Sequence, residues 1–407
     1  MAEPVSRHAL QPPFLHRAGL AWAAHLPEEA GWPSDGSDDK RRSQLRLWEN
    51  DTRLGPRHAI HDAIENEGAG RYSHWNGGLI FSTGDGSDPN TNGRRYTVSL
   101  GAPTTRVVGL GSCHLHDALI ELEDKALVHW AWQTPALAHT PREAAQLLGF
   151  HLGELDIPAP LHSVTVADTA LAGSDPADFR PGPARIKQAD VAFLEFGSTV
   201  DIAYGPFWLL RAPLRTRFID KFAALGAASR QTAYRWYNQG LLKRNEAVRA
   251  ECAARMLDMI PRLGVDRALA RDVVCNARGA EQDMASVVET MRGIRDTLQA
   301  KATCVLSSQN AFMPDGRPLS WPGNFFKVIE TACGEIGLPL LHTKSLVAEQ
   351  GAAFAIKKDL VHFTPQMISL LGTEILAMGK RALRAREAGV VGSHGGSGAR
   401  TPAPAES

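Results

Sequence analysis

The chain has 407 residues, 43% of them apolar, with 44 Lys+Arg balanced by 44 Asp+Glu. That length excludes one small domain, and a formal net charge of zero excludes the basic footprint of a general nucleic-acid binder. The five cysteines, Cys113, Cys252, Cys275, Cys304 and Cys333, are odd in number and widely spaced with no CxxC pair, which excludes a disulfide framework or structural zinc site and fits reduced thiols in a cytoplasm.

In chain order, "MAEPVSRHALQPPFLHRAG" is broken by prolines and histidines and lacks the basic-then-apolar pattern of a secretory signal. No run of about 18 apolar residues predicts a membrane span, so the expected location is cytoplasmic. Residues 1–43, rich in Pro, Gly, Asp and Ser, read as a poorly ordered lead. Residues 44–103 read as a small β-rich module. "QLRLWEN", "RYSHW", "GLIFST" and "RRYTVSL" are short and aromatic or β-branched, with turn clusters between them. Trp48, Tyr72 and Trp75 fit either the core of that module or a carbohydrate-stacking surface. In "GDGSDPNTNGR", Asp88, Asn90, Asn92 and Gly93 match the start of a calcium loop, but Ser99 stands where the bidentate Glu belongs, so turn chemistry is the cheaper reading.

From residue 104 the pattern changes. "TTRVVGLG" reads as a buried parallel strand. Helices are expected at about 114–127 and 141–150, and strands at 161–168 ("LHSVTVAD"), 189–198 ("ADVAFLEFGS") and 302–310 ("ATCVLSSQN"). A helix-rich stretch covers about 214–301. Within it, the basic and aromatic segment 230–251, with Tyr234, Trp236 and Tyr237, reads as an amphipathic helix rather than a nucleic-acid surface. A helix at 323–336, the short strand "LPLLHT" and a last helix after "KKDLVHFTP" complete an α/β domain over 104–386. Residues 387–407, "AGVVGSHGGSGARTPAPAES" in the main, read as a disordered tail.

Sites in open α/β sheets gather at the carboxyl ends of the strands. Three expected strands end there in polar clusters: "GSCH" (Gly111, Ser112, Cys113, His114), "FGSTVD" (Gly197, Ser198, Thr199, Asp201) and "SSQN" (Asn310). Both Ser112 and Cys113 are candidate nucleophiles. Asp359 and His362 lie three apart ahead of the last helix, a spacing that lets a carboxylate hold one imidazole nitrogen while the other faces a nucleophile. Cys113 falls at a strand-to-helix turn, where a helix N-terminus favours thiolate. The competing reading is a small buried apolar residue. His114 and His116 read as pocket-rim or helix-start residues, with no metal expected. Ser198, Thr199, Asp201 and Asn310 fit a site or ordinary turns.

A strand ending in Gly-x-[Ser/Cys] together with D-x-x-H before the last helix, in "DLVHFTPQMISLLGTEIL", resembles the SGNH/GDSL hydrolase superfamily over about residues 104–385. "GSC" is closer to its GSCFA-like variants and to cysteine-bearing polysaccharide acyltransferase-like proteins. The resemblance implies a flavodoxin-like three-layer α/β fold with a parallel sheet. Asp359 and His362 become the acid and base. Cys113 takes the nucleophile position and Ser112 that of the family aspartate. The Gly-x-Asn-Asp block falls on Gly197-Ser198-Thr199-Val200, which carries no asparagine; Asn310, or backbone N–H groups near Gly111 and Gly197, would have to serve the oxyanion.

The implied activity is an acyl transferase or esterase acting on an acyl ester or thioester, with a sugar or small polar metabolite as acceptor. It needs no cofactor, and acyl-CoA is a possible donor substrate. The expected partners are a small-molecule or glycan substrate, no nucleic acid and no membrane; the oligomeric state is left open. The alternative, suggested by the absent asparagine, is a non-catalytic glycan-associated binding protein on the same scaffold.

Overall fold

The computed structural model describes residues 7–26, 32–36, 42–100, 105–125, 127–134, 136–166, 186–187, 189–263, 267–308, 324–359 and 361–389. Its centre is a five-stranded sheet: β1 (Thr105–Leu110), β2 (Val128–Gln133), β3 (Val191–Phe196), β4 (Ala302–Ser307) and β5 (Leu340–His342). The spatial order is β2-β1-β3-β4-β5, and every neighbouring pair is parallel.

Parallel strands buried on both faces read as continuous apolar runs, and "VAFLEF" in β3 and "ATCVLS" in β4 are buried at every position. Alternation along β3 sends Val191 and Phe193 to one face and Ala192, Leu194 and Phe196 to the other. The first face is covered by α1 (Cys113–Asp124) and α5 (Pro365–Glu387), through Leu115, Leu119, Met367, Leu371 and Ile375. The second is covered by α2 (Pro141–Leu152), α3 (Met284–Leu298) and α4 (Phe325–Ile336), through Leu147, Val287, Met291 and Ile329. Helices therefore lie on both faces of a parallel sheet, as the sequence predicts. From β2 to β1 the order runs one way, and from β1 to β3 it runs the other. In sheets of this kind such a reversal is where a crevice forms, here outside the carboxyl ends of β1 and β3.

One strand was expected in the wrong place. Residues 161–168 lead not to a strand but to the short helix His162–Thr165, entered through the turn Ala159–Leu161; residues 167 and 168 lie outside the described part. Pro158 and Pro160 start that turn, and Thr165 Oγ1 donates to Leu161 O at 2.8 Å, so local hydrogen bonding overrides the β-branched composition. The second strand is instead "VHWAWQ", whose Trp130 and Trp132 pack on opposite faces of the sheet.

The first residues are also more structured than their composition implies. His8–Ala9 pairs with Tyr96–Leu100, and Leu15–Ala18 with Ala21–Ala24, which in turn pairs with Gly78–Phe81. Phe14 sits edge-on to Phe81 and Tyr96 at 5.5 Å from each ring, so residues of the supposed lead help build the core of the β-rich part. The strands are two to four residues long, too short to show a period in the sequence. The strands expected from 44 onward are present at Leu45–Glu49, Tyr72–Trp75, Gly78–Phe81 and Tyr96–Leu100. Tyr72 is buried and donates to Leu45 O at 3.0 Å, while Trp48 lies under the Arg7 guanidinium at 3.8 Å.

In the 84–94 turn, Arg94 and Ser87 engage Asp85, Asn90 receives the Phe14 N–H, and Asn92 Oδ1 receives the Arg94 N–H. The oxygens considered for calcium therefore close the turn. The segment 230–251 is not one helix: a break at 243–245, with Arg244 at φ 55°, separates Ala227–Arg235 and its continuation Trp236–Leu242 from Glu246–Met259, and Trp236 and Tyr237 are buried against the helical core. Of the expected tail, residues 390–407 lie outside the described part.

Candidate active site

The end of β1 is shaped by glycine. A Cβ on Gly111 would meet Glu195 Cβ at 2.5 Å, so only glycine lets β1 pass this close to β3. Ser112 then turns the chain with extended φ −92° and ψ −176° and caps α1, accepting the His114 N–H at 3.4 Å. The first N–H groups of a helix have no partners within it. Here Glu195 Oε2 takes two donors, Ser112 N at 2.8 Å and Leu115 N at 3.1 Å. The Cys113 N–H and the Ser112 hydroxyl both face the Cys113 sulfur.

Glu195 is the one charge in the six residues of β3, fully buried on the α1 face. A lone acid inside an apolar strand was the sequence signal that should have marked it, because acids are almost never buried without partners. Its carboxylate occupies the positive end of α1, and the Cys113 thiol feels the consequence. Burial first, then the charges of Glu195 and Asp117, push that thiol up to about 12. The helix terminus therefore does not supply the thiolate that its position suggested.

Asp359 and His362 sit in the loop ahead of α5. Asp359 Oδ1 accepts the N–H groups of Val361 at 3.0 Å and His362 at 2.9 Å, and Oδ2 meets His362 Nδ1 at 2.7 Å. These backbone donors, with the imidazole, hold the Asp359 carboxyl well below the usual carboxylate range. The pair is nearly half exposed, at 48% and 45%. No hydrogen bond joins Cys113 to His362 among the described residues. Asp117, one turn beyond Cys113, lies within electrostatic reach of both His362 and Lys357, and its carboxyl is raised, chiefly by burial.

His114 connects the two halves. Its ring is buried, with Nδ1 at 2.8 Å from Ser308 Oγ beyond the end of β4 and Nε2 at 2.9 Å from Val361 O in the Asp359–His362 loop. It stacks on Phe363 at 3.9 Å and 12°. Both ring nitrogens are engaged by protein partners, and His114 lies in the first turn of α1, the helix-start place its sequence allowed. His116 is likewise buried, edge-on to Trp130 at 5.1 Å.

The loop after β2 crosses the crevice. Ala138 N donates to Gly111 O, and Gly197 N and Ser198 N both donate to His139 O, at 2.9 and 3.1 Å. The Gly197 N–H, considered for an oxyanion, is thus engaged by this loop. Ser198 Oγ accepts from Arg211 and from Val200 N. Asn310 lies outside the described residues. Behind the crossing loop is a buried polar cluster that sequence reasoning did not assemble. His139 N donates to Glu143 Oε2 at 2.6 Å, and Asp201 Oδ1 accepts from Thr140 Oγ1 at 2.5 Å and Gln282 Nε2 at 3.2 Å. Burial drives His139 down to about 3, Glu143 up to about 8 and Asp201 up to about 6. In the sequence this segment had signalled only a helix at about 141–150.

Among the described residues, no group of three potential ligands could hold a metal ion, and no helix is long and apolar enough to cross a membrane. No curated protein matches the chain. A solved structure, protein YXIM from Bacillus subtilis, is similar over 77% of this chain and 69% of its own, at 11% identity and a TM-score of 0.25. Residues 105–378, from the first residue of β1 into α5, match the family described as the TviD N-terminal domain. The span holds the whole parallel sheet, the Gly111–His114 turn and the Asp359–His362 loop, and the chain belongs to the TviD N-terminal domain family.

Proposed function

We propose that the protein is an acyl transferase or esterase whose nucleophile is Cys113, with His362 as base and Asp359 as the carboxylate that orients it. One observation carries the reading. The Asp359–His362 pair, with its 2.7 Å contact, is tied through His114 to the helix turn that bears Cys113, at the carboxyl end of the sheet. The strand order β2-β1-β3-β4-β5 is that of flavodoxin-like sheets, which suits the SGNH-type reading of Gly-Ser-Cys and D-x-x-H. Membership of the family is in keeping with acyl-transfer chemistry.

The thiol at about 12 keeps its proton at rest, so attack requires a base in the same step. His362 Nε2 takes the Cys113 proton as sulfur bonds to the acyl carbonyl carbon. The carbonyl oxygen becomes an oxyanion within reach of the Cys113 N–H. Collapse expels the donor's alcohol or thiol, which takes the proton from His362 and leaves a thioester. An acceptor hydroxyl, or water, then gives its proton to His362 and attacks the thioester, and the thiol is restored. Asp359 Oδ2 fixes the imidazole with Nδ1–H inward and Nε2 free to take the proton. Ser112 is the weaker candidate because it is 2% exposed and its Oγ accepts the His114 N–H as the cap of α1.

The test is hydrolysis of p-nitrophenyl acetate and transfer of its acetyl group to sugar hydroxyls. Loss of activity in Cys113→Ala and His362→Ala with retention in Ser112→Ala supports the reading; retention in Cys113→Ala sinks it. A second reading, a glycan-binding protein without catalysis, is favoured by the raised thiol and the absence of a Cys113–His362 hydrogen bond. It predicts no turnover by the wild type and unaltered glycan binding in Cys113→Ala.

A further inference from the structure

We infer that His114 is a positioning residue: it anchors the loop carrying Asp359 and His362 so that the imidazole stands over Cys113. The inference rests on the proposed Cys113–His362–Asp359 chemistry and adds the part that makes it possible.

The loop's bonds are mostly its own. Lys357 N donates to His362 O at 2.8 Å, Thr364 N donates to Ala355 O at 3.0 Å, and Asp359 takes two backbone N–H groups from the same loop. Asp359 and His362 point outward, nearly half exposed. These bonds set the shape of the loop but not its place on the sheet. On the sheet side Phe363, 1% exposed, stacks on His114 and Val361 O meets His114 Nε2 at 2.9 Å, between buried Ala355 and Ile356 before the loop and α5 after it.

The proton on that ring follows from the partners. A carbonyl oxygen only accepts, so Nε2 carries the hydrogen and donates to Val361 O. In the neutral ring Nδ1 then accepts, and the Ser308 hydroxyl donates to it at 2.8 Å. Glu195 Oε1 lies 3.7 Å from the same nitrogen. His114 is adjacent to Cys113 in α1, so the side chain that anchors the base loop grows from the residue next to the nucleophile. A shift of the ring moves the loop relative to the sulfur, and about 1 Å of misplacement is enough to lose much of a proton-transfer step.

The experiment follows iodoacetamide alkylation of Cys113 against pH by peptide mass spectrometry. It compares wild type, His362→Ala, His114→Phe, His114→Gln and the His114→Phe/His362→Ala double variant. Phenylalanine keeps a ring on Phe363 but loses both hydrogen bonds; glutamine keeps a donor within reach of Val361 O. With His362 as base, His362→Ala slows alkylation at neutral pH by about tenfold or more. The expected pattern is a similar loss in His114→Phe, partial recovery in His114→Gln, and no further loss in the double variant. Hydrogen exchange of the 357–364 amides should quicken in His114→Phe. Ser308→Ala, which removes the partner of Nδ1 and leaves Val361 O on Nε2, provides a milder second variant should His114→Phe not fold, and it is expected to give a smaller loss of the same kind.

Wild-type alkylation in His114→Phe beside a slowed His362→Ala overturns the inference alone. So does a His114→Phe loss that adds in full to that of His362→Ala. Wild-type alkylation in His362→Ala overturns the Cys113–His362 reading, and the positioning role falls with it.

Discussion

Two polar clusters meet above the carboxyl ends of β1 and β3, and they are built in opposite ways. The Asp359–His362 pair is nearly half exposed, and short hydrogen bonds hold the Asp359 carboxylate on both oxygens. In the other cluster Glu143 and Asp201 are fully buried and His139 is mostly so, yet among the described residues His139 Nδ1, Glu143 Oε1 and Asp201 Oδ2 have no hydrogen-bond partner. Exposed groups can exchange protons with a substrate at little desolvation cost. Buried, partly satisfied groups keep their neutral forms and set the stability of the fold. The difference separates a cluster suited to chemistry from one suited to holding the crossing loop in place.

The largest effect that would break this distinction lies on the exposed side. Cys113→Ala is expected to lower acyl transfer by about 10⁴-fold or more, as loss of a nucleophile does elsewhere, with the denaturation midpoint almost unchanged. Asp359→Asn should reduce kcat by about 10²- to 10⁴-fold and leave KM for the acyl donor near wild type, because the carboxylate is proposed to orient a base and not to bind the donor. A stability loss in either variant that matched the activity loss would erase the contrast.

The next prediction concerns the seam between the clusters. Gly111→Ala puts a methyl group 2.5 Å from Glu195 Cβ, and relief by backbone shift is expected to cost about 1–3 kcal/mol in urea unfolding. The smallest effect is a change of slope. Glu143, at 4.5 when unperturbed, is raised to about 8 in the fold. The stability this adds is complete below about 4.5, and it is lost as pH rises toward 8. Glu143→Gln should therefore flatten the decline of Tm between those pH values. His139 acts in the reverse sense. Its depression from 6.5 to about 3 gives stability that is present above 6.5 and lost on acidification toward 3. A Glu143→Gln protein with the wild-type slope would show that the buried cluster does not carry the pH dependence.

How much of this was legible in the sequence differs by element. Strands β1, β3 and β4 were readable because parallel strands need unbroken apolar runs, and Asp359–His362 because the pairing is local, within one loop. Val128–Gln133 was missed because its polar and aromatic alternation follows directly on a helix. The short segment before Thr165 was misread because its β-branched residues satisfy a helical turn. The site's long-range partners were harder still. Glu195 reaches Ser112 across 83 positions and His114 reaches Val361 across 247, and no local pattern encodes a contact between strands that the fold alone brings together.

Glu195 has one more consequence. Thiol oxidation by peroxides proceeds through thiolate, and exposed, low-pKa cysteines are the ones that climb to sulfenic acid. Burial first, and then the Glu195 carboxylate at the positive end of α1, push the Cys113 thiol up to about 12. A thiol so placed is expected to react with peroxide no faster than an ordinary buried cysteine.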